Sequence, residues 1–201
     1  MTPARGDHDA RRRDVSEAVW RVLADRGFGG LTLRAVAAEM GASTGLLTHY
    51  FPNKRALVAH ALEVLDRRTA ARPRPAAEST APAGGLPMLR AVLLDVLPLD
   101  AAGAADNRIW VGSWGAALAD DGLAGEHAGR YRRSRERMAE LAAEAQRLGE
   151  LPPGRAPEDV AAAAQSFVLG LVVQALFAPE EFPAERQIAL LDGYLAGVAA
   201  G

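Results

Sequence analysis

Residues 31–57, LTLRAVAAEMGASTGLLTHYFPNKRAL, decide the fold. Thr32 stands where a hydroxyl caps a helix, and Leu33, Val36, Ala37 and Met40 recur at helical spacing behind it until Gly41 stops the run. After a turn at Gly41 and Ala42, Ser43 can cap a third short helix, which Pro52 ends at about Phe51. Two short helices joined by a glycine turn have the layout of a helix-turn-helix, whose second helix enters the major groove of DNA. The shortness has a geometric reason. Such a helix shows its polar side to base edges while Leu46 or Leu47 anchors the other side on a core, and Gly45 lets a DNA backbone approach. Thr44, Thr48, His49 and Tyr50 are then expected to reach DNA, the hydroxyls at bases or phosphates and His49 or Tyr50 at phosphate oxygens. Thr32 and Ser43, at the two helix starts, join them.

On the N-terminal side, Val15, Ala18, Val19, Val22 and Leu23 predict an amphipathic first helix over residues 11–26, opened by Arg11, Arg12 and Arg13 and closed at Gly27. On the C-terminal side, Asn53 caps a fourth helix with Leu57, Val58, Ala61, Leu62 and Leu65 on its inner face. Residues 73–85, PRPAAESTAPAGG, offer little to bury and read as a flexible connection. We therefore place a helix-turn-helix domain, with helix four, at 1–72 and a second helical domain at 73–201. Helices are expected there at about 86–98, 106–120, 123–149, 157–178 and 183–199. With no strand alternation and no internal repeat, the fold class is all-α, of about nine helices.

Charge is divided along the chain. Residues 1–72 hold twelve Lys and Arg against eight Asp and Glu, whereas 73–201 hold eleven against seventeen, as suits a front half that meets phosphates. Twenty-two of the 23 basic residues are Arg, a bias we read as genomic G+C pressure, and Lys54 is the one Lys. The absence of cysteine excludes disulfides and thiolate chemistry. His8, His49, His60 and His127 are too scattered for metal spacing, so neither metal nor cofactor is expected. No apolar run is expected to reach the roughly 20 residues of a membrane span, and the expected location is the cytoplasm.

These residues resemble the tetracycline-repressor (TetR) family over about residues 11–65: an amphipathic first helix, then Thr, an apolar helix, Gly-x-Ser, Gly, an aromatic pair and Lys in the family's order. The resemblance implies that Lys54 approaches a DNA phosphate at the head of helix four. Many members have Tyr where this chain has Thr48. A Thr there resembles the Ser of the choline-sensing BetI-type branch, whose STG and HYF the chain shares, and NRIWVGSWGAALAD (107–120) and RYRRSRERM (130–138) resemble that branch's ligand domain. The implied protein is a homodimeric repressor of double-stranded palindromic operator DNA, released by a small-molecule effector whose chemistry the sequence does not name.

Each assignment has a rival. GASTG (41–45) also satisfies the GxSxG of hydrolases, but that motif needs a strand before Ser43 and a helix precedes it, so no catalytic residue is assigned. Arg11 and Arg12 are either minor-groove or phosphate contacts or a solvated tail. Trp110 and Trp114, four residues apart on an apolar helix, are either core or the lining of an effector pocket with Phe167, Leu171 and Gln174. Ala163, Phe167, Gly170, Ile188, Leu191 and Leu195 form stripes on the last two helices that a partner would cover, unless a monomer hides them internally. Two further function classes compete: an effector-independent activator or architectural DNA-binding protein, and a small all-helical enzyme.

Overall fold

Three side-chain caps start three consecutive helices. Thr32 Oγ1 accepts the Ala35 N–H at 3.0 Å, Ser43 Oγ that of Leu46 at 3.4 Å, and Asn53 Oδ1 that of Ala56 at 2.9 Å. Each satisfies a donor that a helix start leaves without an intrahelical partner. The computed structural model describes residues 5–80 and 84–201, with side chains over 11–79 and 84–201. In it these helices are α2 (Leu33–Glu39), α3 (Thr44–Tyr50) and α4 (Lys54–Ala71), preceded by α1 (Arg5–Arg26). Because α1 begins at Arg5 rather than near residue 11, the three arginines lie inside it and do not open it. A 3-10 turn at Phe28–Gly30 joins α1 to α2, and Gly27 and Gly41, at φ 61° and 62°, make bends that a Cβ would strain.

Packing follows the periodicity. Val15, Ala18, Val19, Val22 and Leu23 of α1 meet Val36 and Ala37 of α2, Leu47 of α3, and Leu57, Ala61, Leu62 and Leu65 of α4 in one buried cluster. Ion pairs rim it: Arg68 reaches Glu17 at 2.6 Å while lying 4.5 Å over the Trp20 ring, and Arg21 reaches Glu39 at 2.6 Å.

The chain divides into two compact units, one of residues through Arg72 together with Arg108–Ala124, the other of Pro73–Asn107 with Gly125–Gly201. The expected division into 1–72 and 73–201 therefore misses residues 108–124. Ile109, Ala117 and Leu123 bury apolar side chains in the first unit's core, which draws that stretch to it.

The remaining helices are α5 (Pro75–Thr80), α6 (Gly85–Leu94), α7 (Ala101–Leu118), α8 (Asp121–Arg147), α9 (Pro157–Phe177) and α10 (Ala184–Ala200), and no strand occurs among the described residues. Helix α5 corrects the reading of 73–85 as a flexible connection. Its start is held by Asp95, whose two carboxylate oxygens accept the N–H groups of Ala76 and Ala77 at 3.1 and 3.0 Å. Residues 1–4 of the expected first domain, 81–83 of the expected connection and the side chain of His8 lie outside the described residues.

In the second unit Ala142, Ala145, Leu151, Val160 and Val198 form a buried cluster, with Leu86, Tyr194 and Ala199 packed on it. Helix α9 departs from the expectation that no segment matches a membrane span: it is long and apolar enough by length and composition, with 44% of its most apolar stretch buried. Two amides interrupt the apolar faces. Gln165 and Gln187 are buried, and Gln187 Nε2 donates to the carbonyls of Phe182 at 2.8 Å and Pro98 at 3.4 Å.

Candidate nucleic-acid interface

Helix α3 is amphipathic in seven residues. Leu47 is 0% exposed, and Leu46 and Tyr50 are half-buried, while Ser43, Thr44, Gly45, Thr48 and His49 are exposed. Tyr50, also expected to reach DNA, is half-buried and packs on the first unit's core. An added Cβ at Gly45 would meet only Ser43 Oγ, at 3.8 Å, so nothing within the protein requires glycine there.

The hydroxyls differ in what they leave available. Thr32 and Ser43 accept backbone N–H groups as caps, so each O–H stays free to donate to a phosphate oxygen. Thr48 instead donates to the Gly45 carbonyl at 2.9 Å, which leaves oxygen lone pairs to accept from a base amino group, such as cytosine N4 or adenine N6.

A cavity of about 400 Å³ opens beside the helix, lined by Leu31, Thr32, Leu33, Arg34, Thr44, Lys54 and Leu57. It gathers the expected residues Thr32, Thr44 and Lys54, and adds Arg34, which sequence reasoning passed over. Arg34 is exposed on α2, the second residue after the Thr32 cap, and that spacing was the available signal. Two cations and two hydroxyls around an apolar floor suit a phosphate. Arg11 and Arg12 are exposed on α1 and do not line this cavity.

Trp110 is half-buried against the first unit's core, and Trp114, also half-buried, belongs to the same unit. Phe167 and Leu171 belong to the second unit, where Phe167 stacks on Tyr194 with centroids 4.3 Å apart and Leu171 is buried. Gln174 is exposed on the face of α9 that carries Ala163 and Gly170, so it goes with the expected partner surface and not with Leu171. Leu191 and Leu195, 0% and 5% exposed within one protomer, are corrected as interface residues: their stripe is already covered by the protomer's own helices. Ile188 is half-buried. The faces left outside carry Ala163, Ser166, Gly170 and Gln174 on α9, and Ala189, Leu190, Gly193 and Gly197 on α10.

Comparison with known proteins agrees with this geometry. Residues 16–61 match the bacterial regulatory proteins of the tetR family, and residues 86–200 match the BetI-type transcriptional repressor C-terminal family. The chain belongs to the BetI-type tetR regulators. HTH-type transcriptional regulator PksA of Bacillus subtilis (strain 168) is 39% identical over 66 residues, 33% of this chain and 32% of that protein, so that match spans about a third of each. BetI of Cronobacter sakazakii is 28% identical over 99% of this chain and 96% of its own. A transcriptional regulator of Saccharomonospora viridis, crystallised in complex with choline, superimposes with a TM-score of 0.78 over 94% of this chain and 96% of that one, and at 19% identity shares the fold. BetI-type tetR proteins are DNA-binding transcriptional regulators and not enzymes.

Proposed function

We propose that this regulator represses transcription as a homodimer on palindromic operator DNA in the cytoplasm and is released by a small molecule bound in its C-terminal half. The observation that carries the reading is the division of α3 into a buried anchor, Leu47, and an exposed polar face of Thr44, Thr48 and His49 beside the cavity that holds Arg34 and Lys54. A solvated polar face on so short a helix contributes nothing to the core, whereas a duplex groove uses every residue of it.

Dimerisation is supported by α9, whose apolar stretch is buried for less than half its residues and leaves a face of small side chains for a partner. Paired two-fold, α9 and α10 would form a four-helix bundle, and two recognition helices would meet successive major grooves roughly 34–36 Å apart. Effector response is supported by the choline bound to the Saccharomonospora viridis relative. A ligand acts only through differential affinity, so it must favour the released state by a few kcal/mol.

Selection of bound sequences from a random duplex pool tests the reading. An inverted repeat with half-sites about one helical turn apart is expected. Recovery of no enriched sequence, with no binding at low salt, would remove it.

A further inference from the structure

Several arginines in this protein pair with carboxylates: Arg55 binds Asp120, Arg68 binds Glu17, Arg21 binds Glu39, and Arg90 binds Asp192 through two bonds of 2.6 and 2.9 Å, while Arg137 and Arg186 end on exposed backbone carbonyls. Arg135 on α8 does neither. Its Nη1 donates at 2.9 Å to Oε1 of Gln165, and among the described residues no carboxylate pairs with it. Gln165 is 6% exposed and is itself fixed, Nε2 donating at 3.4 Å to the Tyr131 carbonyl. An amide therefore aims a half-buried guanidinium without neutralising it.

The surroundings set a cationic group beside an apolar wall. The face of α8 that bears Arg135 also bears buried His127 and half-buried Tyr131 and Ser134, while the acidic residues of that stretch, Glu126 and Glu136, are exposed. One turn on, the same face becomes apolar at Met138 and Ala142. The face of α9 that bears Gln165 continues as buried Ala161, Val168 and Val172. Holding a cation partly out of water is costly unless an opposite charge meets it, and a planar guanidinium fits a carboxylate through two parallel bonds.

We infer that the effector carries a carboxylate, taken by Arg135 with Gln165 as its positioning residue, against the apolar wall of α9. This rests on the effector-responsive reading above and gives the ligand the opposite charge to choline.

The test uses full-length protein, calorimetry and thermal melting without DNA, and four probes: hexanoate and benzoate against hexylamine and choline. The carboxylates are expected to bind and raise the melting temperature, and the cations to do neither. Arg135→Met, which keeps the aliphatic stem, should weaken carboxylate binding roughly ten- to a hundredfold. Gln165→Glu places a carboxylate of the same shape beside the guanidinium. That variant should melt no lower than the parent and lose carboxylate binding to a similar degree, a result that a merely structural role for Gln165 would not produce. The inference is overturned if neither carboxylate binds the parent, if the cations bind instead, or if both variants bind carboxylates as the parent does. Operator binding by the same preparation is measured alongside. Protein that holds DNA but no carboxylate sinks this inference and leaves the regulator reading standing, and the reverse result separates them the other way.

Discussion

Arg55, beside Lys54 at the head of α4, grips both carboxylate oxygens of Asp120, 65 residues on in the turn between α7 and α8, at 2.5 and 3.1 Å. The same carboxylate accepts the Leu123 N–H at 3.1 Å and so caps α8. The bond from Arg55 is the main reason the Asp120 carboxyl titrates below its usual range. One side chain thus ties the α7–α8 turn to the helix that presents Lys54. Replacing Asp120 by Asn keeps a capping side chain, removes one negative charge next to Lys54 and Arg55 and weakens the hold on Arg55. Asp120→Asn should bind DNA more tightly at low salt, with a log–log salt dependence steeper by about one phosphate contact. A slope identical to the parent's would show that Arg55 stays off the duplex.

Gly45 and Leu47 sit two residues apart on α3 and should fail in opposite ways. An alanine methyl at Gly45 has room within the protein and favours helix, so Gly45→Ala should melt at or slightly above the parent temperature while losing operator affinity to a clash with the DNA backbone. Leu47→Ala empties a fully buried site and should cost about 2–5 kcal/mol of stability, with DNA binding lost because α3 is no longer held. Paired melting and operator-binding curves distinguish the two. If Gly45→Ala bound operator as the parent does, α3 would not lie as deep in the groove as the proposed reading needs.

What could be read from the sequence was local. The caps at Thr32, Ser43 and Asn53, the stop at Gly41 and the buried line from Val15 to Leu23 each follow from residues within a turn or two of one another, and the structure has them all. What escaped depended on distant partners. Helix α5 starts in a Pro- and Ala-rich stretch because Asp95, about twenty residues away, supplies the acceptors. Periodicity marked Leu191 and Leu195 as covered without saying what covers them, and the protomer's own helices do. Arg34 is marked in the sequence only by standing two residues after the Thr32 cap, and its place beside Thr44 and Lys54 depends on folding bringing α2 to the heads of α3 and α4.

His60 on α4 gives the DNA-binding unit a pH dependence. Its Nε2 lies 3.1 Å from Ser16 Oγ of α1, its ring 5.2 Å from that of Phe51, and Glu63, Arg67 and Arg12 surround it. Burial, aided by Arg67 and Arg12 and opposed by Glu63, holds its pKa below the usual 6.5. The folded unit therefore keeps the imidazole neutral where the unfolded chain already takes up a proton. Its stabilising contribution is full above about 6.5 and is lost as pH falls through the folded value. Melting temperatures followed from neutral into acid solution should fall less steeply for His60→Gln than for the parent. Parallel curves for the two would assign the acid sensitivity to other groups.

Gly170 allows the partner surface to be tested without disturbing the protomer. It is exposed on α9 in line with Ala163 and Gln174, and an added Cβ there meets nothing within 4 Å. Within one protomer a Gly170→Glu side chain points into open space and gains helix propensity of about 0.5–1 kcal/mol, so an isolated chain should fold at least as well. Across a two-fold axis the same change places two carboxylates against each other in a closely packed apolar seam, where neither finds a partner. Sedimentation should then report monomers for Gly170→Glu, and operator affinity should drop because the two recognition helices no longer bind as a unit. Leu190→Glu, at an exposed leucine on α10, should act in the same sense. If both variants sediment as the parent does, whatever that species is, these faces of α9 and α10 are not what holds two copies together, and the apolar half of α9 left uncovered by the protomer needs another partner.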